Sequence, residues 1–356
     1  MNYLTSLRGI AAFCVVLYHL KYFLHQHDFS NALSFLYNKG YLAVDFFFLL
    51  SGFILAYNYA ETFSNKLNFS EIQTFIIKRI ARIYPLHVFV LALFLLFPLA
   101  FLITDRSIDA KQYSLVALFF KILLVDIWII TGEYWNTWNM PSWTISGELF
   151  AYLLLPFVLL VFPKKSTGVF ILFCVLVLSI AIMYDFFGFV SLGEGISTLG
   201  LFRCVVTFYC GVCLHVFFVK FKDKISNRGA VSLLVFACTS CVVLGFNFTA
   251  NHFFVPSLFA LMLFAFLCSK TPLHTLLNHK GMVYFGEISY SLYLNHIFVI
   301  AFYKMLFLAD ASYASVFDLT AIIVSCIVMS HFTYQYIERP MRRYTVKRWS
   351  SRSVNA

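Results

Sequence analysis

Runs of apolar residues long enough to cross a bilayer recur along this chain from Leu4 to Tyr336, and that repetition constrains its fold more than any other feature. Each holds about 18 residues or more, enough for a helix to span roughly 30 Å of hydrocarbon. They lie near residues 5–24, 40–60, 84–104, 113–130, 142–162, 168–187, 200–219, 230–248, 252–269, 283–305 and 316–336. A water-soluble fold has no room for them: 61% of the 356 residues are apolar and only 12% are charged, against about 25% charged in soluble domains. Lipid leaves backbone polar groups no water to bond, so each segment must satisfy its own as a helix. The fold class is therefore all-α, a polytopic membrane helical bundle. The polar stretches Glu61–Arg82, Lys220–Gly229 and the residues after Glu338 are too short for a separate soluble domain. The chain reads as one integral membrane domain, 1–340, followed by a basic cytoplasmic tail, 341–356. The first run passes through His19 and Lys21 without a small-residue cleavage site, so it is expected to remain as the first spanning helix.

Charge sets the sidedness. The net charge of +10 fits a membrane protein whose cytoplasmic loops collect Lys and Arg, and needs no nucleic acid to explain it. Lys66, Lys78, Arg79 and Arg82; Lys164 and Lys165; Lys220, Lys222, Lys224 and Arg228; Lys270 and Lys280; and the run from Arg339 to Arg352 mark the cytoplasmic side. The turns at 131–141, 188–199, 249–251 and 306–315 carry no Lys or Arg and are placed outside. Five apolar segments separate the basic loop 61–83 from the basic loop 220–229, and five full crossings cannot join two loops on one side. The segment 113–130, which carries Lys121 and Asp126, is the one expected not to cross, as a re-entrant or interfacial helix covered by protein. Ten crossings follow, with both termini inside. No internal repeat or low-complexity stretch is visible. Of the nine cysteines, the close pairs Cys210/Cys213 and Cys238/Cys241 lie in apolar runs without His or acidic neighbours, which fits packing and not zinc.

Ionisable side chains at membrane depth are costly and mark function by default. Arg8 and His19 are eleven residues apart on the first helix, which puts them on one face roughly 16 Å apart. Arg8 would sit at the cytoplasmic edge and His19 deep, where it either exchanges protons or bonds a neighbouring helix. Asp45 and Ser51 in Val44-Asp45-Phe-Phe-Phe-Leu-Leu-Ser51-Gly52-Phe53 face the bundle, with Asp45 paired to a histidine or arginine or holding helices together. Arg79 and Arg82 stand one turn apart, a double fork suited to phosphate or a plain basic anchor. In Trp143-Thr-Ile-Ser146-Gly147-Glu148, the carboxyl of Glu148 enters an apolar helix as acid or base, as a partner for His19, or as a packing group. Arg203 at the outer end of its segment either meets an external ligand or snorkels to the interface. Tyr293 and His296 lie in a polar run, Glu287 to His296, near the cytoplasmic side. His25 and His27 lack further ligand residues nearby, so no metal site is expected. Phosphate-binding glycine loops and a Gly-x-Ser-x-Gly elbow are missing from the sequence.

Taken in order, these blocks resemble the acyltransferase-three family of multi-span membrane O-acyltransferases that modify bacterial surface glycans. Arg8 and His19 match its Arg-x10-His motif; Val44 to Phe53 its "VDLFFVLSGF" block; Arg79-x-x-Arg82 with Tyr84-Pro85 its "RRxxRIYP" block; and Trp143 to Glu148 its "WSLSVE" block. Ile288 to Leu294 with His296 matches "ISYSLYLWH", and Ile337-Glu338-Arg339-Pro340 the closing "vErP". The chain departs from the pattern at Gly147, Leu149, Phe150, Glu287 and Asn295, departures that bear on the acceptor. The resemblance implies a stand-alone form in the bacterial plasma (inner) membrane, with no bound cofactor and with acetyl-CoA, or another acyl-CoA, as co-substrate. It implies Arg8, Arg79 and Arg82 on the donor phosphates, His19 as general base or acyl carrier, Glu148 orienting or balancing it, and a surface glycan or lipid-linked saccharide as acceptor. The residues alone also admit a transporter or flippase, whose path such buried charges would line.

Overall fold

The computed structural model describes residues 2–24, 37–103, 109–128, 132–246, 252–308 and 314–354. His25 and His27 lie outside the described residues. Every regular element among the described residues is helical, with no strand. The helices are α1 (Asn2–His19), α2 (Ala43–Phe63), α3 (Phe69–Phe94), α4 (Leu96–Ile103), α5 (Leu115–Leu123), α6 (Ser142–Val161), α7 (Ser166–Phe186) and α8 (Ile196–Phe221). They continue as α9 (Asn227–Phe246), α10 (Val255–Cys268), α11 (Pro272–Leu277), α12 (Lys280–Glu287), α13 (Ser289–Phe307), α14 (Val316–Thr333) and α15 (Arg339–Val354). Six stretches among the described residues are long and apolar enough to span a membrane: Tyr37–Phe63, Phe69–Ile103, Ser142–Val161, Ser166–Phe186, Ile196–Phe221 and Val316–Trp349.

The centre is the crossing of α2 and α8. The apolar windows of these spans are 72% and 61% buried, against 17% for α7, which is therefore peripheral. Small residues make the crossing close: a Cβ on Gly52 would strike the carbonyl of Phe208, and one on Gly211 the carbonyl of Leu49. Without a hydrophobic drive between helices in lipid, such backbone contact supplies the packing. A second close crossing sets α1 against α12, with Gly9 on the backbone of Phe285 and Gly286 on that of Thr5. Beside it, Ser6 Oγ ties α1 to the end of α11 by donating to the Leu277 carbonyl at 2.6 Å.

Three boundaries differ from the sequence reading. The basic loop 61–83 is mostly helix: Asn68 caps α3 by accepting from the Ser70 amide at 3.0 Å, so Lys78, Arg79 and Arg82 ride on a helix that runs on through Pro85. The segment 283–305 is broken at Ile288 into α12 and α13. The last span does not end near Tyr336; it passes through a π turn at Tyr334–Glu338 into α15. Residues 341–354 are thus no loose tail but a helix docked on α3, where Trp349 Nε1 donates to Thr74 Oγ1 at 3.2 Å.

The segment 113–130 yields only the nine-residue α5, which rises about 13 Å and cannot cross roughly 30 Å of hydrocarbon. It ends at Leu124 in the left-handed conformation (φ 56°), and its polar groups are satisfied by protein. Lys121 is fully buried and spends its three protons on Asp126 Oδ2 at 2.7 Å, the Trp135 carbonyl at 2.9 Å and Ser142 Oγ at 3.0 Å. His87 Nε2 donates to the Lys121 carbonyl at 2.8 Å, tying α5 to α3. Irregular backbone at this depth persists only when covered in this way.

The basic connections meet at one end of the bundle. Lys220 bonds Ser166 Oγ, the Lys270 amide donates to Asn227 Oδ1 at 2.6 Å, and the start of α1 lies among Lys78, Arg79 and Arg82.

Candidate active site

Two connected hollows open at that basic end. The outer one, a vestibule of about 830 Å³, lies between the start of α1, the middle of α3, the end of α12 and α15. The inner one is a cavity of about 120 Å³ lined by Arg8, Ser51, Arg79, Arg82, Glu148, Tyr152, Tyr290 and Tyr293 among apolar residues of α2 and α3. Arg8, Arg79 and Arg82 line both, so the three expected donor-binding arginines form the neck between them.

The arginines are not equivalent. Arg82 is engaged: its guanidinium lies 2.6 Å from Glu338, which is 1% exposed and also accepts from Ser291 Oγ at 2.8 Å. The π turn at the foot of α14 brings Glu338 inward, since the extra residue in a wider turn rotates the chain beyond it relative to a regular helix. Arg8 and Arg79 have no ion-pair partner among the described residues, and Arg79 Nε is buried with no hydrogen-bond acceptor. Two guanidinium groups at the neck are therefore available to an anion.

Inside the neck, Ser51 Oγ donates to Glu148 Oε1 at 2.5 Å and lies 3.3 Å from Tyr152 OH. This is the partner of Glu148; no hydrogen bond or ion pair joins it to His19 among the described residues, and the carboxylate shares the cavity with the arginines instead. Tyr293, on the far wall, lies 3.1 Å from Thr144 Oγ1. One turn further along α13, His296 is fully buried, with Nδ1 2.6 Å from the Tyr293 carbonyl. A carbonyl only accepts, so Nδ1 carries the proton and Nε2 keeps its lone pair, buried and without a partner. The ring of half-buried His19, the last residue of α1, sits beside it with centroids 5.0 Å apart. The helix that carries Arg8 at the neck thus ends at His19 beside the His296 ring.

Asp45, Trp143 and Arg203 form a separate centre. Arg203 is 1% exposed and grips both oxygens of fully buried Asp45, from Nε at 2.8 Å and Nη2 at 2.5 Å, with Nη1 on the Leu192 carbonyl. It is buried and does not reach the interface as a snorkelling side chain would; a guanidinium in the bundle is held there by its carboxylate. Trp143 lies 5.9 Å below its cation. Ser146 is buried with an unpartnered Oγ and does not line the cavity. Arg203→Ala strands the carboxylate and is expected to cost about 3–5 kcal/mol, while Asp45→Leu/Arg203→Leu restores much of it; melting in detergent reads both.

Sequence reasoning missed Glu338 as the partner of Arg82, Tyr152 and Tyr290 on the cavity wall, and Arg342, Arg343 and Lys347 in the vestibule. The last three had a signal, basic residues on one face of a helix, but it was read as a tail.

Helices long and apolar enough to span lipid, with a cationic vestibule beside a smaller cavity at one end, define a multi-pass membrane protein. The sequence model of a family described as acyltransferase domain matches residues 1–334, and the chain belongs to that family. It is 25% identical to the O-acetyltransferase OatA of Staphylococcus aureus across 96% of its own length and 58% of the relative's. Over 43% of its length it is 33% identical to the acyltransferase MdmB of Streptomyces mycarofaciens, covering 38% of that protein. The chain therefore spans less than two thirds of either relative. No solved structure matches it.

Proposed function

We propose that this protein is a membrane O-acyltransferase, in its simplest form an O-acetyltransferase. It takes an acyl group from cytosolic acyl-CoA and passes it to a hydroxyl of a glycan across the membrane. The observation that carries this reading is the shared neck: three arginines from α1 and α3 line both a cationic vestibule and a narrow cavity whose wall includes Tyr293, one turn before His296 on α13. A thioester donor needs those two compartments, one for a charged nucleotide and one for a slender uncharged arm. The diphosphate, where the arm begins, would rest against Arg8 and Arg79, with the thioester reaching past Ser51, Glu148 and Tyr293.

The acceptor hydroxyl oxygen attacks the thioester carbonyl as its proton passes to His19; the C–S bond then breaks and the sulfur leaves with a proton from the imidazolium. A route through acyl-His19 reaches the same products in two steps: the imidazole nitrogen displaces CoA as its thiol, a C–N bond replacing the C–S bond, and the acceptor oxygen then replaces the C–N bond with the ester C–O bond, its proton returning to the imidazole. Mass spectrometry of surface glycans with and without the gene should differ by one acyl unit on one sugar; identical spectra would defeat the reading.

The two-sided scheme puts the basic end in the cytoplasm. Adding α1, α9, α10 and α13 to the six long spans makes ten crossings with both termini inside. α10, of 14 residues, is extended by the turn at His252–Phe254. A single cysteine at Asn136 is expected to react with impermeant reagent from outside, and one at Lys165 only after permeabilisation. The reverse pattern would invert the scheme.

A further inference from the structure

The vestibule holds more positive charge than the neck accounts for. Seven of its lining side chains are cationic and one, Glu287, is acidic. Arg8, Arg79 and Arg82 also line the inner cavity; Lys78, Arg342, Arg343 and Lys347 line the vestibule alone. Three of these four come from α15, at helical positions i, i+1 and i+5, with Val346 between them on the same wall. One face of this helix therefore turns to the hollow. The helix is held there from both sides of that face, by the Glu338–Arg82 pair before its first turn and by Trp349 on Thr74 beyond Lys347. No ion pair among the described residues neutralises Arg342, Arg343 or Lys347.

The geometry points to α15 as the wall of the donor site that reads a second phosphate, the 3′-phosphate on the ribose of the acyl-CoA nucleotide. This rests on the proposed donor. Once the uncharged arm occupies the narrow cavity, the adjoining diphosphate lies at the neck and the ribose beyond it. The remaining phosphate then falls among the cations that line only the vestibule. Arg342 and Arg343 supply planar forks and Lys347 a point charge, an arrangement suited to a dianion. The helix thus distinguishes donors by their phosphate number, as a specificity element set apart from the reacting groups.

The test compares acetyl-CoA with acetyl-dephospho-CoA, and in parallel measures binding of adenosine 3′,5′-bisphosphate against AMP, on detergent-purified wild type and Arg342→Gln/Arg343→Gln/Lys347→Gln. Wild type should favour the 3′-phosphorylated member of each pair by about tenfold or more, as charged hydrogen bonds of this kind are worth. The triple variant should lose that preference by weakening on the 3′-phosphorylated ligands alone. Arg348→Ala, which does not line the vestibule, should keep it. If the triple variant melts early, the single variants carry the test, each losing part of the preference. Equal weakening on both members of a pair, or no change on either, overturns the inference. A variant that instead loses only its stabilisation by phosphatidylglycerol vesicles overturns it too, and assigns α15 to lipid. Acetyl-CoA turnover without a 3′-phosphate preference sinks this inference and spares the donor reading. Bisphosphate binding that depends on α15 in a protein that never consumes acetyl-CoA does the reverse.

Discussion

His19→Ala is expected to abolish acyl transfer while the protein remains inserted and melts within a few degrees of wild type. The ring ends α1 half-buried, packed beside the rings of Tyr18 and His296, and a polar contact between spanning helices is worth only about 0.6–2 kcal/mol. Losing the group that takes the hydroxyl proton costs the reaction about 10²–10⁴-fold, and more if His19 carries the acyl group. Near-normal turnover in this variant would remove His19 from the chemistry. Glu148→Gln should do less harm, because an amide oxygen can still accept from Ser51 Oγ.

The second large effect separates two arginines that look alike in sequence. Arg79→Ala should raise the KM for acetyl-CoA by roughly 10–100-fold, the worth of one or two charged hydrogen bonds, with a smaller change at saturating donor. Its melting point should hold, since no carboxylate among the described residues pairs with it. Arg82→Ala should be an unstable protein first and a poor enzyme second. It leaves Glu338 buried with only Ser291, a loss of about 3–5 kcal/mol. Arg82→Met/Glu338→Met should recover stability without recovering KM. If the two alanine variants melted alike, the Arg82–Glu338 pair would not anchor the fold.

That contrast shows what the sequence could and could not convey. Apolar length marked the six long spans because lipid enforces it locally, and the parity argument singled out 113–130, whose Lys121 and Asp126 are too costly to leave facing lipid. The face shared by Arg8 and His19 was legible because helical period is local. What stayed hidden was pairing across the bundle. Asp45 called for a cation, but nothing local chose Arg203, 158 residues away, over a histidine. Sequence left Glu148 open as acid or base, partner for His19 or packing group, and packing of α2 on α6 gives it Ser51. Composition marks residues 341–356 only as a basic tail, and the π turn, which no local pattern announces, continues the last span into a helix whose cations line the vestibule.

The central claim, transfer across the membrane from a donor on the basic face, is tested most directly in sealed proteoliposomes of known orientation. Labelled acetyl-CoA is placed on one side and glycan acceptor on the other. Acyl-labelled glycan should form only when acetyl-CoA meets the face carrying Arg8, Arg79 and Arg82 and glycan the opposite face, with free CoA released on the donor side. Movement of glycan without acylation, or acylation only when donor and acceptor share a side, would contradict it.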